Sequence, residues 1–487
     1  MQHMKIFVTI LILELALSSP MTWEVSGQPV PGRPSLDEKV YLPAVWNSAA
    51  PSAARRINAP YFDVPNVVDQ RFTQMAVFWF GQVNQTDNYS DVRVGYNNTT
   101  LYIRTATFDR RIWYDQSPSS ADLTNWDAIT LYLDTSGDPS RTLTSASYRF
   151  KAQFNWSEDD QLYSLSERGN GATWQPALVS FQMEPGWRGD APNNDQNDRG
   201  WLMTFEIPFS SLGVQGPPAE GSLWRLGMEL HDRDDAAGTP IAIKTWPEGL
   251  DGSRPSTWGR LGFGLPVYQP PPSAPAGTVT VRHKLNGATV KDAAAGGYSV
   301  CGDGRDFWTQ WGDTTETFYD PEHTSFNIQN QIDVADWPCF SKYYVTFPLD
   351  LLPAGKVIRS AELTLHLFGN AGASGEAKNS LIQVFSISED WDENNLTWNN
   401  APLAFENVSR AWVEPVMSMP PWPGVPWTWD LSYAVAQAYA ARQPLRLVLY
   451  SADSAYHSGK YFVSSDTGDW NAAGRPMLEV KWGEPGQ

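Results

Sequence analysis

The chain has 487 residues, 41% of them hydrophobic and 18% charged, which is enough apolar material for real cores and argues against wholesale disorder. Its length predicts two domains or more. The net charge of −19 is spread over both halves without a basic run, so nucleic acid is not an expected partner.

In chain order, residues 1–18 read as a secretory signal peptide. Lys5 precedes an apolar run from Ile6 to Leu17, and Ala16 and Ser18 stand at cleavage spacing. Secretion to the exterior or the cell surface is therefore expected. No other stretch is apolar for eighteen residues, so no membrane span is predicted. Residues 19–39 form a Pro/Gly-rich, disordered lead-in.

From 40 to 265 the chain alternates repeatedly. "LYIRTATFD" (Leu101–Asp109), "AITLYLD" (Ala128–Asp134), "SYRFKAQFNW" (Ser147–Trp156), "WLMTFEIPF" (Trp201–Phe209) and "LWRLGMELHD" (Leu223–Asp232) read as strands separated by turn clusters. A Pro-rich linker is drawn at 266–277, "QPPPSAPAG" being unable to sit in a central strand. The second half, 278–484, repeats the strand pattern and adds one helix, "DLSYAVAQAYAARQ", with Asp430 as its cap. The prediction is all-β: two antiparallel, jelly-roll-like β-sandwiches joined by that linker. Cys301 and Cys339, the two cysteines, are expected to form a disulfide worth roughly 3–4 kcal/mol.

The stretch Leu123–Asp134 poses a question of its own. Ile129, Leu131 and Leu133 supply a core face, while the opposite face carries Trp126, Thr130 and Tyr132, where a plain soluble strand would place charged groups. The motifs "VRVGYNNTTLYIRTATFD", "NWDAITLYLDTS", "GWLMTFEIPFSSLG" and "TWGRLGFG" occur in the order shown by carbohydrate-binding module family 9-like domains, which the first half resembles. That resemblance implies a sugar-binding β-sandwich with structural calcium nearby. It carries a stacking tryptophan to Trp126, a sugar-contacting acidic position to Thr130 (a departure) and a basic position to Arg149 or Lys151. Gln153 shares the face of Arg149 and Lys151.

The second half resembles the DNRLRE domain, also catalogued as carbohydrate-binding module family 96. The resemblance rests on "KYYVTFPLDLLPAGKVIRSAELTLHLFGN", "VFSISEDWDENNLTWNNAP" and the closing "WDLSYAVAQAYAARQPLRLVLYSADS". It implies a jelly-roll sandwich on secreted or surface proteins. Trp308, Trp311, Trp422 and Trp427 lie in turn-rich stretches and are further candidates for sugar contact, since an aromatic face packs on the C–H face of a pyranose. Trp391, Trp398 and Trp429 are expected in the core.

For calcium, Asp134 and Asp138 in "DTSGD" and Asp195 and Asp198 in "NNDQND" offer hard oxygen ligands at short spacing. Catalytic motifs are missing: there is no G-x-S-x-G elbow and no H-E-x-x-H helix, and the six histidines are scattered. Glu206, Glu229 and Asp232 fit better as strand residues than as a glycosidase pair. The expected function is that of a secreted, non-catalytic carbohydrate-binding protein attaching to polysaccharide or cell-surface glycan. The alternatives are a structural cell-surface or matrix protein and, less favoured, a glycan-degrading enzyme.

Overall fold

The alternating stretches fold as strands. The computed structural model describes residues 54–62, 72–137, 142–156, 160–296, 305–315, 324–331, 339–373, 375–452 and 457–486. The expected signal peptide, lead-in and Asp138 lie outside the described residues, as do Cys301 and the side chain of Cys339.

The first half carries β1 (Arg56–Ala59), β2 (Ala76–Gly81), β3 (Tyr89–Tyr96), β4 (Thr100–Phe108), β5 (Ala128–Asp134), β6 (Ser147–Gln153), β7 (Ser164–Gly169), β8 (Trp174–Pro176), β9 (Gln182–Arg188), β10 (Gly200–Pro208), β11 (Leu223–His231), β12 (Lys244–Trp246) and β13 (Gly259–Phe263). The second half carries β14 (Ser273–Arg282), β15 (Lys291–Gly296), β16 (Ser325–Gln331), β17 (Cys339–Phe347), β18 (Val357–Asn370), β19 (Ser380–Ser386), β20 (Glu406–Val413), β21 (Val425–Asp430), β22 (Leu445–Ser451), β23 (Lys460–Val463) and β24 (Met477–Pro485). The helix is α1 (Ser432–Ala440). The N-cap position falls on Leu431 rather than Asp430, which stands one residue earlier and accepts the Ser432 N–H at 2.9 Å.

Each half is a sandwich, as the all-β prediction requires. In the first, sheet β2–β3–β4–β10–β9 faces sheet β1–β13–β11–β5–β6–β7–β8. Phe78, Val92, Ile103 and Phe205 from one meet Leu131, Phe150, Leu226 and Leu261 from the other. In the second, β15–β17–β22–β19–β20 packs on a sheet built from β14, β24, β18, β21 and β23. Tyr343, Val345, Leu447, Leu363, Leu365 and Leu478 fill the space between them.

The Pro-rich segment is not an open hinge. Its last residues enter β14, where Ser273–Pro275 pair with Gly483–Pro485 of β24, and the Tyr268 hydroxyl donates to the Ile358 carbonyl at 2.7 Å. The two halves also meet directly. In β2, Ala76, Phe78 and Phe80 enter the first core while Val77 and Trp79 face the second half, so both faces of the strand are buried. Trp79, Tyr89 and Phe108 join Phe307, Trp311, Phe340, Trp398 and Tyr450 in one aromatic cluster. β1 continues the contact, with Arg56 beside Glu406 of β20 in parallel register and Asn58 and Asn407 exchanging amide hydrogen bonds.

Inside that cluster sits Lys342. Its ammonium lies 3.6 Å from the Trp398 ring centre, 4.1 Å from that of Trp79, 4.8 Å from that of Tyr89 and 5.0 Å from that of Tyr450. It donates to the Tyr89 hydroxyl at 2.6 Å, and Tyr89, Tyr450 and Asn330 donate in turn to the Asp91 carboxylate at 2.7, 2.8 and 3.1 Å. Burial pushes the Lys342 pKa well down, and the charge of Asp91 works against that shift.

Candidate functional site

The strand register answers the question posed by Leu123–Asp134. Strand β5 begins only at Ala128; Leu123–Asn125 form a single 3-10 turn that ends at Trp126. Thr130 stands opposite Lys151, and Tyr132 opposite Arg149, in the β5–β6 ladder, so the two outward faces coincide. On the other side of β5, Thr130 faces Glu229 of β11. Sequence reading missed Glu229 as a site residue, because cross-strand register is not visible in a single chain segment. Register thus sets a carboxylate beside Thr130 from the neighbouring strand.

Half of this face is covered. Tyr132 is 4% exposed and packs against Trp258 and Trp174 at ring separations of 5.3 and 5.9 Å. Gly227, beside Tyr132 in the ladder, makes that cover possible: a Cβ there would stand 2.3 Å from the Leu250 side chain. Tyr132 is therefore a packing residue whose hydroxyl donates to Glu229 at 3.0 Å. Burial and the Glu229 charge push its pKa up.

Thr130 and Gln153 are also buried, contrary to a role as open contacts. Thr130 Oγ1 meets His231 Nε2 at 3.0 Å, and Gln153 accepts the Asp115 N–H at 3.0 Å while donating to the Leu123 carbonyl at 2.9 Å. Gln153 thereby fixes the 115–125 segment that carries Trp126.

The groups left within reach are Arg149, Lys151, Glu229, Trp174 and Trp126, all half-buried. Glu167 anchors the cations: Arg149 Nε donates to it and Lys151 Nζ lies 3.8 Å away. The Arg149 guanidinium also lies 5.0 Å from the Trp174 ring centre. Trp126 rests against Gly238, where a Cβ would meet its ring at 3.4 Å. Desolvation raises the Glu229 pKa, opposed by the Tyr132 hydrogen bond and by Arg149 and Lys151; desolvation also lowers that of Lys151. Burial holds His231 near a pKa of about 3, so it is a neutral imidazole. The result is a cluster of charged donors and acceptors beside the Trp174 ring, suited to hydroxyl recognition.

The second-half candidates separate. Trp308 and Trp311 are 4% and 2% exposed and belong to the inter-half cluster, so they are structural and do not present a free face. Trp427 is half-buried and packs against the second core. Trp422 is 44% exposed. Trp391, Trp398 and Trp429 are buried, as expected.

The acidic groups regroup as well. Asp134 is buried and accepts from Ser136 and Ser147, which is a turn-forming role, while Asp195 is exposed. Asp198 accepts the Ile112 N–H at 3.0 Å and has one buried oxygen without a donor.

Asp109, Asp232 and Asp234 instead bring carboxylate oxygens within 4.8 Å of one another. Both oxygens of Asp232, which is 3% exposed, lack a donor in bonding geometry, although the Asn88 amide stands beside it. One oxygen of Asp234 is likewise without a donor. Desolvation, followed by mutual repulsion, pushes Asp109 and Asp127 well up; Asp232 rises to about 8, and Asp234, mainly through desolvation, to about 6. Orphaned, buried hard oxygens in such a cluster fit a divalent cation of the calcium type.

Two comparisons with known proteins found similarity over part of the chain. Residues 305–479 match the family model of carbohydrate-binding module family 96. Among solved structures, the first half is similar to a carbohydrate-binding module of family 9 from Caldicellulosiruptor kristjanssonii in complex with cellotriose. The identity is 13% and the TM-score 0.33, over 44% of this chain and 100% of that one. The same module in complex with glucose gives 13% and 0.31, over 44% and 99%. A comparison with curated proteins found no match.

Proposed function

We propose that the protein is a secreted, non-catalytic carbohydrate-binding protein whose first sandwich takes a sugar on the outer face of β5, β6 and β11. The observation that carries this reading is the convergence of Arg149, Lys151 and Glu229, from three adjacent strands, with the Trp174 ring centre 5.0 Å from the Arg149 guanidinium. Bidentate and charge-assisted donors beside a ring are what a pyranose with vicinal hydroxyls requires. The family-96 match over 305–479 supports the same class of ligand for the second sandwich. Calcium bound by Asp109, Asp232 and Asp234 would be structural: Asp109 directly follows β4 and Asp232 directly follows β11, so the cation would tie together the ends of two facing sheets.

Titration calorimetry against soluble glucan, xylan and mannan oligosaccharides tests the first site. Glu229→Gln and Arg149→Ala are each expected to weaken binding by about tenfold, roughly 1.4 kcal/mol. Trp126→Ala is expected to weaken it by about 1 kcal/mol with the fold intact, because Trp126 lies outside the first core cluster. Unchanged affinity in all three variants would remove the site from this face. The raised Glu229 pKa adds a pH signature: on acidification the wild type loses affinity at a higher pH than an ordinary carboxylate would give, since protonation removes the acceptor, and Glu229→Gln lacks that drop.

A further inference from the structure

The outer face of the second sandwich exposes aromatic rings that serve no core. Trp470 is 69% exposed and Trp422 is 44% exposed, and their ring centres stand 5.1 Å apart at an interplanar angle of 85°. Phe368 lies 5.7 Å from Trp422, and Tyr461 lies 6.5 Å from Phe368. The four rings come from β18, β23 and two loops, and together they form a continuous row ending in a right-angled corner.

Close backbone approaches shape the two loops that carry the tryptophans. Gly424, at φ +102°, turns the Trp422 loop onto β18; a Cβ there would stand 2.8 Å from the Leu367 carbonyl. At Gly468 a Cβ would stand 2.8 Å from the Trp470 ring, so the ring lies back on its own turn over the glycine. His366 Nδ1 meets the Gly474 carbonyl at 3.0 Å and fastens the same turn to β18. Rings held in place before binding lose little freedom when a ligand arrives, which offsets the free-energy cost of leaving them in water.

We infer that Trp422 and Trp470 form a second carbohydrate-binding site, independent of the Arg149–Glu229 face, that takes a pyranose chain by stacking. One indole offers its face to the C–H patch of a sugar ring and the other bounds that sugar's edge. This inference rests on the carbohydrate-binding reading above. An open row suits a chain molecule, and the net charge of −19 disfavours an anionic lipid surface.

The test is affinity electrophoresis of the full chain in gels containing, in turn, hydroxyethylcellulose, xylan, laminarin and galactomannan. The variants are Trp470→Ala, Trp422→Ala with Trp470→Ala, and Arg149→Ala. The expected result is retardation of the wild type by at least one polymer, lost about tenfold in the tryptophan double variant and at least severalfold in Trp470→Ala, whose ring is too exposed to matter for folding. Arg149→Ala should keep part of that retardation. Full retardation of both tryptophan variants by every polymer that retards the wild type would overturn this second site while leaving the first reading standing. No retardation of the wild type by any polymer would overturn both.

Discussion

Calcium at millimolar concentration is expected to raise the melting temperature at pH 8 by about 3 °C over the same protein in EGTA, and the gain should vanish near pH 5. The magnitude follows from mass action. A ligand at about a hundred times its dissociation constant contributes about 2.7 kcal/mol, and a cooperative unit of this size has an unfolding entropy near 1 kcal/mol per degree. The sign follows from the carboxylates. Asp109, Asp127, Asp232 and Asp234 all have folded-state pKa values raised above their ordinary range. Metal-free folded protein therefore holds more protons than unfolded chain, so its stability falls as pH rises through the window from about 4 to about 8.

A bound cation replaces those protons, so the calcium-loaded protein should lose that downward slope. Asp232→Asn should stabilise the metal-free form at pH 8, by relieving repulsion, and abolish the calcium response. Identical melting curves in calcium and EGTA across pH 5–8.5 would show that the cluster holds protons only.

The second large effect is expected at Lys342. Replacing it with Met keeps most of the volume but removes the donor to Tyr89 and so breaks the buried network that runs through Tyr89 to Asp91. Losing one partner of a buried charge network typically costs about 3–5 kcal/mol. Because Trp79, Tyr89, Trp398 and Tyr450 around it come from both halves, the loss should appear in their joint unfolding. Calorimetry of the wild type should show one endotherm, and Lys342→Met should show a lower transition that broadens or splits. A variant that melts like the wild type would mean that the aromatic contacts alone hold the halves together. This rigid contact also changes how two sugar sites would cooperate: their spacing is set by packing, not by a linker's reach.

Much of the framework was legible in the chain itself. Period-2 alternation placed β4, β5, β10 and β11 to within a few residues, and the stripe of small and apolar residues placed α1. "AVFWF" at Ala76–Phe80 even carries the mark of a strand buried on both faces, a continuous apolar run. Alternation reports which face of an element is apolar, and that is a local property.

What covers each face is not local. Trp308 and Trp311 sit in turn-rich sequence that looks exposed, and only the other half of the molecule buries them. Tyr132 has the pattern of an open platform until the 247–258 segment closes over it. Glu229 enters the site through register with Thr130, nearly a hundred residues away in sequence, and Asp109 meets Asp232 across a similar distance. The sequence by itself determined the strands, their apolar faces and the class of sandwich. The tertiary structure decided which aromatic rings remain in water and which carboxylates share one small volume, because exposure and electrostatic coupling depend on distances in space that chain spacing does not encode.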